Sequence, residues 1–387
     1  MIPLLGITLG DPAGIGAEVI LKALSERAVA RAVRPLIIGD LDTLRETARC
    51  LALACRFAPT TEPEVLAGLR SGAGRSAGDR LGASRSSAGR SIAVLGVGAL
   101  GASARRPGRP TIEGGRASYR YIEAAARLAT RGAVQGIVTG PINKAWVTRA
   151  GFPISGHTEL LRRLTGAREV RMMLAGTRLR VVLVTMHVAL RTVPRALTTR
   201  DVARTIFIAD EHLRRYHRLD KPRLAIAGLN PHAGEGGLFG HEERTVIAPA
   251  VRRACRAGVA ASGPFPADSL FFRAVEGEFD AVITMYHDQG LIPLKLLHFH
   301  DAVNVSMALP IVRTSPDHGT AYDIAGRGVA DAGSMVAALL LAGRMAVADG
   351  AGRGAGERRA RPAIKPARAI GKQQARPAGT ARRRVAR

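Results

Sequence analysis

Short apolar runs alternate with helix-like segments along most of the 387-residue chain, and this alternation constrains its fold more than any other feature. The apolar runs predict strands at 4–9, 35–38, 133–138, 179–185, 224–227, 281–285 and 303–307. Helices are predicted at 16–26, 116–130, 157–165, 200–217, 242–257 and 331–346. Strands and helices that alternate in this way are typical of α/β folds with a largely parallel sheet.

Two segments lack the large apolar side chains that a core requires. Residues 71–91 consist almost entirely of Gly, Ser, Ala and Arg, and residues 347–387 are similarly poor in large apolar side chains and strongly basic. Neither segment can bury enough apolar surface to offset the entropy lost on ordering. We therefore expect a flexible insertion at 71–91, a disordered basic tail at 347–387 and a folded unit over residues 1–346.

The formal net charge of +26 is concentrated in the same two regions. Residues 351–387 contain twelve Lys and Arg against one Glu, and residues 70–110 contain eight Arg against one Asp. The tail has no aromatic residue on which a base could stack. We therefore expect no nucleic-acid partner, and the alternative is an accessory, salt-sensitive affinity of the tail for polyanions.

The sequence also bears on the cellular compartment. It has no run of 18 apolar residues that would predict a membrane-spanning helix, and its start lacks the basic region of a signal peptide. Its three cysteines form no CxxC pair, which argues against a disulfide framework or a cysteine zinc site. We expect a cytoplasmic protein with no membrane partner.

Three histidines follow predicted strands within five residues: His187, His232 and His287. Ligands of open α/β sheets bind beyond the carboxyl ends of the strands, so these imidazoles meet if their strands are neighbours. Three protein ligands with an open position suit a catalytic divalent metal. The alternative is three separate loop histidines. Glu235 could hydrogen-bond a metal-bound histidine.

Other residues in strand-end segments suit an anionic substrate. Lys295 and Arg313 flank Asn304, and two cations with an amide could bind phosphate and carboxylate groups. His157 and Thr158 open a predicted helix, where donors can also meet an anion. The alternatives are solvated surface charges for the first group and a plain helix cap for the second.

The glycine-rich segments are less specific. GLNPHAGEGG at 228–237 could cradle an anion or form a tight turn. GDPAGIG at 10–16 resembles a phosphate-binding turn but is not GxGxxG, so a Rossmann site has weak support. The P-loop pattern is absent from the sequence, which argues against a P-loop kinase. G-x-S-x-G occurs only as GRSAG at 74–78, inside the low-complexity segment and not at a predicted strand-to-helix elbow, which argues against acyl transfer.

Several of these segments together resemble one enzyme family. GDPAGIG (10–16), TGPINK (139–144), GHTELL (156–161), GLNPHAGEGG (228–237), PADSLF (266–271), MYHDQGLIPLK (285–295) and the long segment 303–328 are similar to the 4-hydroxythreonine-4-phosphate dehydrogenase (PdxA) family. The likeness runs in order from about residue 2 to 345. It excludes the 71–91 insertion and the 347–387 tail.

The resemblance implies a fold, cofactors and an assembly. The fold is a two-lobed α/β unit like that of isocitrate and isopropylmalate dehydrogenases, with the site in the cleft between two interleaved lobes. The cofactors are NAD or NADP and one divalent metal ion per subunit, which is zinc, magnesium or cobalt. The assembly is a homodimer in which both subunits build each site.

The same resemblance assigns residues. The metal ligands correspond to His187, His232 and His287, and the substrate contacts correspond to His157, Thr158, Lys295, Asn304 and Arg313. No residue is assigned to the nicotinamide cofactor or to catalysis. Asp268, Asp288, Lys295 and His318 remain candidates for the group that takes the substrate's hydroxyl proton.

The implied reaction is oxidation of the 3-hydroxyl of 4-phosphooxy-L-threonine, a phosphorylated hydroxy amino acid, followed by loss of CO2 to give 3-amino-2-oxopropyl phosphate. This product is a pyridoxal phosphate precursor. A paralogous activity on 4-phospho-D-threonate or D-erythronate 4-phosphate is the first alternative. A metal-binding protein without catalysis is the second, and the complete set of motifs argues against it.

Overall fold

The computed structural model describes residues 2–70 and 91–353. The insertion expected at 71–91 lies outside the described residues except for Ser91, which begins a strand. The tail expected at 347–387 lies outside them from residue 354 onward.

One twelve-stranded sheet runs through the whole described chain. Its strands are β1 (Leu4–Thr8), β2 (Arg34–Ile38), β3 (Arg56–Thr60), β4 (Ser91–Leu95), β5 (Gly136–Thr139), β6 (Arg171–Ala175), β7 (Arg180–Leu183), β8 (Leu224–Ala227), β9 (Ala261–Phe265), β10 (Ala281–Thr284), β11 (Val303–Met307) and β12 (Arg313–Pro316). Their order across the sheet is β3-β4-β2-β1-β5-β12-β11-β6-β7-β10-β8-β9.

The strand directions divide this sheet into two lobes. In the first lobe, β1 to β5 and β12 pair in parallel. In the second lobe, which comprises β6 to β11, the strands β7, β10, β8 and β9 pair in parallel. Three antiparallel pairings join the parallel strands of the first lobe to those of the second: β12–β11, β11–β6 and β6–β7. The expected two-lobed α/β architecture with a largely parallel sheet is confirmed.

Helices connect the strands and pack on the sheet. They are α1 (Gly16–Ser25), α2 (Arg27–Ala32), α3 (Leu41–Cys50), α4 (Glu62–Arg70), α5 (Ile112–Thr130), α6 (Lys144–Arg149), α7 (His157–Thr165), α8 (Val193–Ala196), α9 (Thr199–His217), α10 (Ala248–Arg256), α11 (Ala267–Val275), α12 (His287–His298) and α13 (Gly333–Arg353). Short helical turns occupy 102–105, 190–192, 231–237 and 243–247.

Side-chain oxygens that accept hydrogen bonds from backbone N–H groups cap the N-termini of several helices. The Asp40 carboxylate accepts a hydrogen bond from the Thr43 backbone N–H at the start of α3. Thr111 caps α5 and Thr198 caps α9 in the same way, and Asn143 caps α6. Each cap satisfies backbone donors that the first helical turn leaves unpaired.

Helix α13 is longer than the sequence predicts. The tail was expected to begin at residue 347, but the helix continues to Arg353, so that boundary was wrong by seven residues. The extra turn is held because Ala348 is buried and the buried Asp349 forms an ion pair with Arg215 of α9. The helix packs against β12, β5 and β11 at the centre of the sheet.

The same helix has the length and the apolar composition of a membrane span. Among the described residues, 333–351 form one helix that meets both criteria for crossing a membrane. Slightly more than half of that stretch, 56%, is buried inside the protein. Its packing against the central strands is that of a core helix.

A histidine on α9 is buried with one ring nitrogen unpaired. His212 is 4% exposed, and its Nε2 has no hydrogen-bond partner among the described residues. Its ring lies 4.8 Å from that of Tyr216 and 5.7 Å from that of His217. Burial, together with the charges of His217 and Arg215, lowers the pKa of His212 to about 3. The imidazole is therefore neutral in the folded protein.

This histidine predicts acid sensitivity of the fold. An unfolded histidine has a pKa near 6.5, whereas His212 in the folded protein has a pKa of about 3. Between these two pH values only the unfolded state binds the proton, so the free energy of unfolding decreases as the pH falls from 6.5 toward 3. Between pH 6.5 and 5 we expect His212→Phe to lose about 2 kcal/mol less unfolding free energy than the wild type. Urea denaturation at both pH values measures this difference.

The exposed His241 provides the control. His241→Phe should keep the wild-type pH dependence of the unfolding free energy. Equal acid losses in His212→Phe and the wild type would show that His212 does not set that dependence.

Candidate active site

A cavity of about 370 Å³ lies where the two lobes meet. Its walls are the loop after β5, the first turn of α7, strands β6, β11 and β12, and helix α12. Seven of the eight residues that the sequence predicted for the site line it: His157, Thr158, His187, His287, Lys295, Asn304 and Arg313. The eighth, His232, is not among the lining residues.

Arg313 in β12 places a buried positive charge at the wall of this cavity. It is 2% exposed, and its guanidinium donates hydrogen bonds to Thr139 Oγ1 at 2.7 Å, Ser306 Oγ at 3.0 Å and Asn304 Oδ1 at 3.3 Å. All three acceptors are neutral. No carboxylate of the described residues forms an ion pair with Arg313, and its Nε has no partner among them.

The charge of Arg313 persists in spite of its burial. Burial lowers the pKa of the guanidinium, because a charge is less well solvated inside the protein than in water. Arginine nevertheless remains protonated at neutral pH. A buried cation whose protein partners are all neutral creates a strong preference for an anionic ligand in the adjoining space.

Further donors converge on the same space. His157 begins α7, and its Nε2 is buried without a hydrogen-bond partner among the residues that the structure describes. Burial lowers the pKa of His157 well below its usual range, and the charges of Arg313 and Lys144 add to this effect. The neutral ring can donate one hydrogen bond to a bound anion. The buried Thr158 lies beside it in the first turn of the helix.

Lys295 supplies a second cation from α12. Its Nζ lies 2.9 Å from Asp317 Oδ2 and donates to the Asp317 backbone carbonyl at 3.3 Å. This pair holds the ammonium group at the wall of the cavity. Arg313, Lys295, Lys144 and the helix start together suit a substrate that carries phosphate and carboxylate groups.

His187 and His287 face the cavity as a pair. Their ring centroids are 5.6 Å apart. Burial lowers the pKa of His187, and the nearby Lys144 and His287 lower it further, which keeps the His187 ring neutral and able to ligate. His287 Nδ1 donates to Asp288 Oδ1 at 2.7 Å, which leaves Nε2 free. A carboxylate on one ring nitrogen is the usual arrangement of a metal-binding histidine.

His232 lies outside the cavity on the turn 231–237. Its side chain is 63% exposed, and its Nδ1 donates to Glu235 Oε2 at 3.1 Å. The expected contact between Glu235 and this histidine is therefore present. Within one chain, the described residues contain no group of three His, Cys, Asp or Glu close enough to hold a metal. Two imidazoles fit the expected metal, and the third donor is displaced from them.

The turn that carries His232 is strained. Five consecutive residues from His232 to Gly236 have positive φ angles, and three of them are not glycine. The left-handed conformation costs about 1–2 kcal/mol for each non-glycine residue. Such a conformation persists only where surrounding contacts hold it. The buried Glu243 provides such contacts, since its Oε1 accepts from the backbone N–H groups of Leu229 and Asn230, both at 2.7 Å.

The glycine-rich segment 10–16, which resembles a phosphate-binding turn, packs against the loop after β5 that forms part of the cavity wall. None of its residues lines the cavity. Gly10 has φ +80°, and a Cβ at this position would lie 2.3 Å from the Pro141 carbonyl oxygen. The buried Asp11 accepts hydrogen bonds from the Ala13 N–H at 3.0 Å and the Tyr322 hydroxyl at 2.7 Å. The glycine therefore allows the close approach of two loops.

Two of the four candidate proton acceptors line the cavity and two do not. Lys295 and His318 line the cavity. Asp288 is 71% exposed and paired with His287, and Asp268 on α11 is not among the lining residues. His318 Nδ1 lies 3.0 Å from the Gly319 carbonyl, and its Nε2 has no partner among the described residues. Nε2 is therefore free to accept a proton.

Three charged residues of the cavity were missed by the sequence analysis: Lys144, Glu159 and Asp317. Each belongs to a segment that was singled out, namely TGPINK, GHTELL and the long segment 303–328. The position of these segments after strands or at helix starts was the available signal. Which side chain of each segment faces the cavity depends on the tertiary packing.

Comparisons with known proteins extend these observations. Residues 31–342 match the sequence pattern of the family described as "Pyridoxal phosphate biosynthetic protein PdxA". A 4-hydroxythreonine-4-phosphate dehydrogenase of Geobacter metallireducens is 47% identical over 352 residues, which cover 91% of this chain and 98% of that protein. A D-threonate 4-phosphate dehydrogenase of Salmonella typhimurium is 43% identical over 341 residues, with coverage of 88% and 98%.

A solved structure agrees with the fold. The 4-hydroxythreonine-4-phosphate dehydrogenase of Klebsiella pneumoniae superimposes with a TM-score of 0.74 at 39% identity. The match covers 89% of this chain and 99% of that one. The similarity therefore includes both lobes.

The buried guanidinium yields a direct prediction. Arg313→Met should weaken the binding of inorganic phosphate at least tenfold, because a charge-assisted hydrogen bond is worth about 1.5–3 kcal/mol. The free energy of unfolding should not fall, since the variant removes a buried charge that lacks a counter-ion. Isothermal titration calorimetry and thermal denaturation measure the two effects.

Arg171→Met is the matched control, because Arg171 also lies in a central strand but bonds Thr205 and does not line the cavity. This control should bind phosphate as the wild type does. Unchanged phosphate affinity in Arg313→Met would contradict the assignment of an anion site to Arg313.

Proposed function

Since the chain belongs to the PdxA family, we propose that it is a 4-hydroxythreonine-4-phosphate dehydrogenase, an NAD(P)-dependent and metal-assisted enzyme. The family membership makes it an oxidoreductase. The proposed substrate is 4-phosphooxy-L-threonine, whose 3-hydroxyl is oxidised to give 2-amino-3-oxo-4-(phosphooxy)butanoate. Loss of CO2 from this product gives 3-amino-2-oxopropyl phosphate, in pyridoxal phosphate biosynthesis.

One observation carries this proposal. The uncompensated charge of Arg313 lies in the same cavity as the His187–His287 pair. An anion anchor beside two neutral imidazoles suits a substrate that carries a phosphate at one end and a metal-binding hydroxyl further along. A plain anion-binding protein would have no use for the pair of imidazoles.

The chain's own residues bind and orient this substrate. Arg313, His157 and Thr158 are proposed to hold one anionic group, and Lys295 a second, so that the hydroxyl points toward His187 and His287. Held between two anchors, the reacting carbon has a fixed position, and fixed geometry removes much of the entropic part of the barrier. His318 Nε2, which has no partner among the described residues, is the atom at the cavity that we propose takes the hydroxyl proton, since Lys295 serves as a cation.

The cofactors supply the remaining chemistry. A divalent ion, which we expect to be zinc, magnesium or cobalt, would be held by His187 and His287 with His232 as third ligand, and when bound it lowers the pKa of the hydroxyl and polarises the new ketone. NAD or NADP takes the hydride. No residue is assigned to the nicotinamide cofactor. We expect the enzyme to act in the cytoplasm, without nucleic-acid or membrane partners.

A related substrate is the alternative. The Salmonella typhimurium relative is named for D-threonate 4-phosphate, which lacks the amino group. D-erythronate 4-phosphate is a third phosphorylated hydroxy acid of the same size. All three present a phosphate and a carboxylate to the cations described above, so these anchors do not discriminate among them.

An absorbance assay at 340 nm separates these substrates. The purified protein with added metal receives each of the three phosphates, with NAD and with NADP in turn. We expect reduction with 4-phosphooxy-L-threonine, and we expect a chelator to abolish it because the hydroxyl then keeps its ordinary pKa. Reduction with only a sugar-acid phosphate would reassign the substrate within the family. Turnover that survives complete chelation would contradict the metal-assisted mechanism.

We also propose that the active enzyme is a homodimer with shared sites. His232 is exposed and lies outside the cavity of its own chain. On the same chain, α12 and the residue that follows it present an apolar stripe of Ile292, Leu296 and Phe299, which are 67%, 85% and 71% exposed. Their spacing places them on one side of the helix whose first residue is His287. A second copy packed on this stripe would bury it and would bring its own His232 toward the cavity.

Mixed dimers test this arrangement. Chains with His232→Ala and chains with His287→Ala should each be inactive alone. Co-expressed with different tags, they should regain about a quarter of the wild-type activity, because half of the dimers are mixed and each mixed dimer has one intact site.

Co-expression of His187→Ala with His287→Ala is the control and should restore nothing, since both residues belong to the same cavity. No restoration in the first pair would mean that His232 does not serve the partner's site.

A further inference from the structure

We propose that Gln289 is a positioning residue that ties the start of α12, which carries His287 of the chain's own cavity, to the turn whose His232 is proposed to serve the partner's cavity. The proposal rests on the proposed metal site. Gln289 touches neither the cavity nor any of the three histidine rings, and it acts through the backbone of the loops that carry them.

The Gln289 side chain bridges two strand ends. It is buried in the first turn of α12, and its Oε1 accepts a hydrogen bond from the Met285 N–H at 2.7 Å. Its Nε2 donates to the Gly228 carbonyl at 2.6 Å. Met285 directly follows β10 and Gly228 directly follows β8, and these strands are neighbours. One side chain therefore ties the segment before His287 to the segment before His232.

The loop that carries His187 is also hydrogen-bonded to Met285. The Thr185 hydroxyl donates to the Met285 carbonyl at 2.7 Å, and the Thr185 backbone N–H donates to the same oxygen at 3.3 Å. Thr185 precedes His187 by two residues. The Met285 peptide groups thus connect the His187 loop, the His287 helix start and, through Gln289, the His232 turn.

The chemistry of the bridge requires an amide. Gln289 faces one donor, the Met285 N–H, and one acceptor, the Gly228 carbonyl. Only a side chain with both an acceptor and a donor at its end satisfies both groups. A carboxylate would keep the first bond and would place an unpaired oxygen against the Gly228 carbonyl. A leucine of similar size would lose both bonds.

The far side of the His232 turn is held independently. Glu243 accepts from the N–H groups of Leu229 and Asn230, and a Cβ at Gly234 would lie 2.7 Å from Glu243 Oε2. Glu243 therefore fixes the shape of the turn, and Gln289 fixes its position relative to His287. Loss of Gln289 should displace the intact turn without unfolding it.

Cobalt(II) binding to the full chain tests the proposal. The probe is Co²⁺ alone, without substrate or nicotinamide, and the readouts are its dissociation constant and its visible absorption spectrum. We expect Gln289→Leu to weaken Co²⁺ binding about ten- to a hundredfold, the range found when a partner of a metal ligand is lost. We also expect the ligand-field band to change, because the histidines no longer adopt one geometry.

Gln289→Glu and Thr130→Val are the companion variants. Gln289→Glu keeps the hydrogen bond to Met285 and loses the one to Gly228, so it should also weaken Co²⁺ binding. It replaces Gln289→Leu in the test if that variant does not fold. Thr130→Val removes a buried hydroxyl bond to the Ala126 carbonyl, far from the three loops, and should leave both Co²⁺ readouts unchanged.

The outcomes separate this proposal from the proposed function. If the wild type binds Co²⁺ and the folded Gln289 variants bind it within threefold with the same spectrum, the positioning role is wrong while the metal site stands. If the wild type itself binds no Co²⁺, both the proposed metal site and the role of Gln289 are overturned. If Thr130→Val loses Co²⁺ affinity to the same degree, the loss in the Gln289 variants comes from general destabilisation and the positioning role is wrong.

Discussion

Burying the Arg313 guanidinium at the seam of the two lobes costs solvation free energy that three neutral oxygens recover only in part. The rest of the centre is arranged around this charge. Strand β12 carries polar residues where a core strand would usually carry aliphatic ones, and Asn304 and Ser306 of β11 turn their oxygens toward the same group. An anion completes the arrangement, so the least stable part of the core is also the part that recognises the ligand.

The sequence predicts seven of the twelve strands in the described residues, and two of the five that it misses, β4 (SIAVL) and β6 (RMMLA), are as apolar as the predicted ones. All seven predicted strands are present, and their bounds agree within a few residues. Two other missed strands, β12 (RTSP) and β9 (ASGPF), have few aliphatic side chains, so no apolar run marks them in the sequence. Helix α12 was missed because its start lies in a motif that resembles a loop and because Pro293 interrupts it.

The site could be predicted to a similar degree, for a related reason. Strand-end position and family resemblance find seven residues of the cavity, because parallel strands bring their carboxyl ends to a common edge. The displaced position of His232 could not be predicted, since it depends on a left-handed turn whose three non-glycine residues disfavour that shape. Gln289 gave no signal in a single sequence, because its contacts are to backbone groups.

The continuity of the sheet has a mechanical consequence. In many two-lobed enzymes, flexible strands of chain act as a hinge, but here the lobes share the hydrogen-bonded ladder between β12 and β11. The cavity wall includes that ladder itself. Its width is therefore set by the twist of the central strands, and widening it means distorting a ladder whose bonds resist shear. We therefore expect the lobes to approach a ligand by bending of the sheet rather than by rotation about a loop.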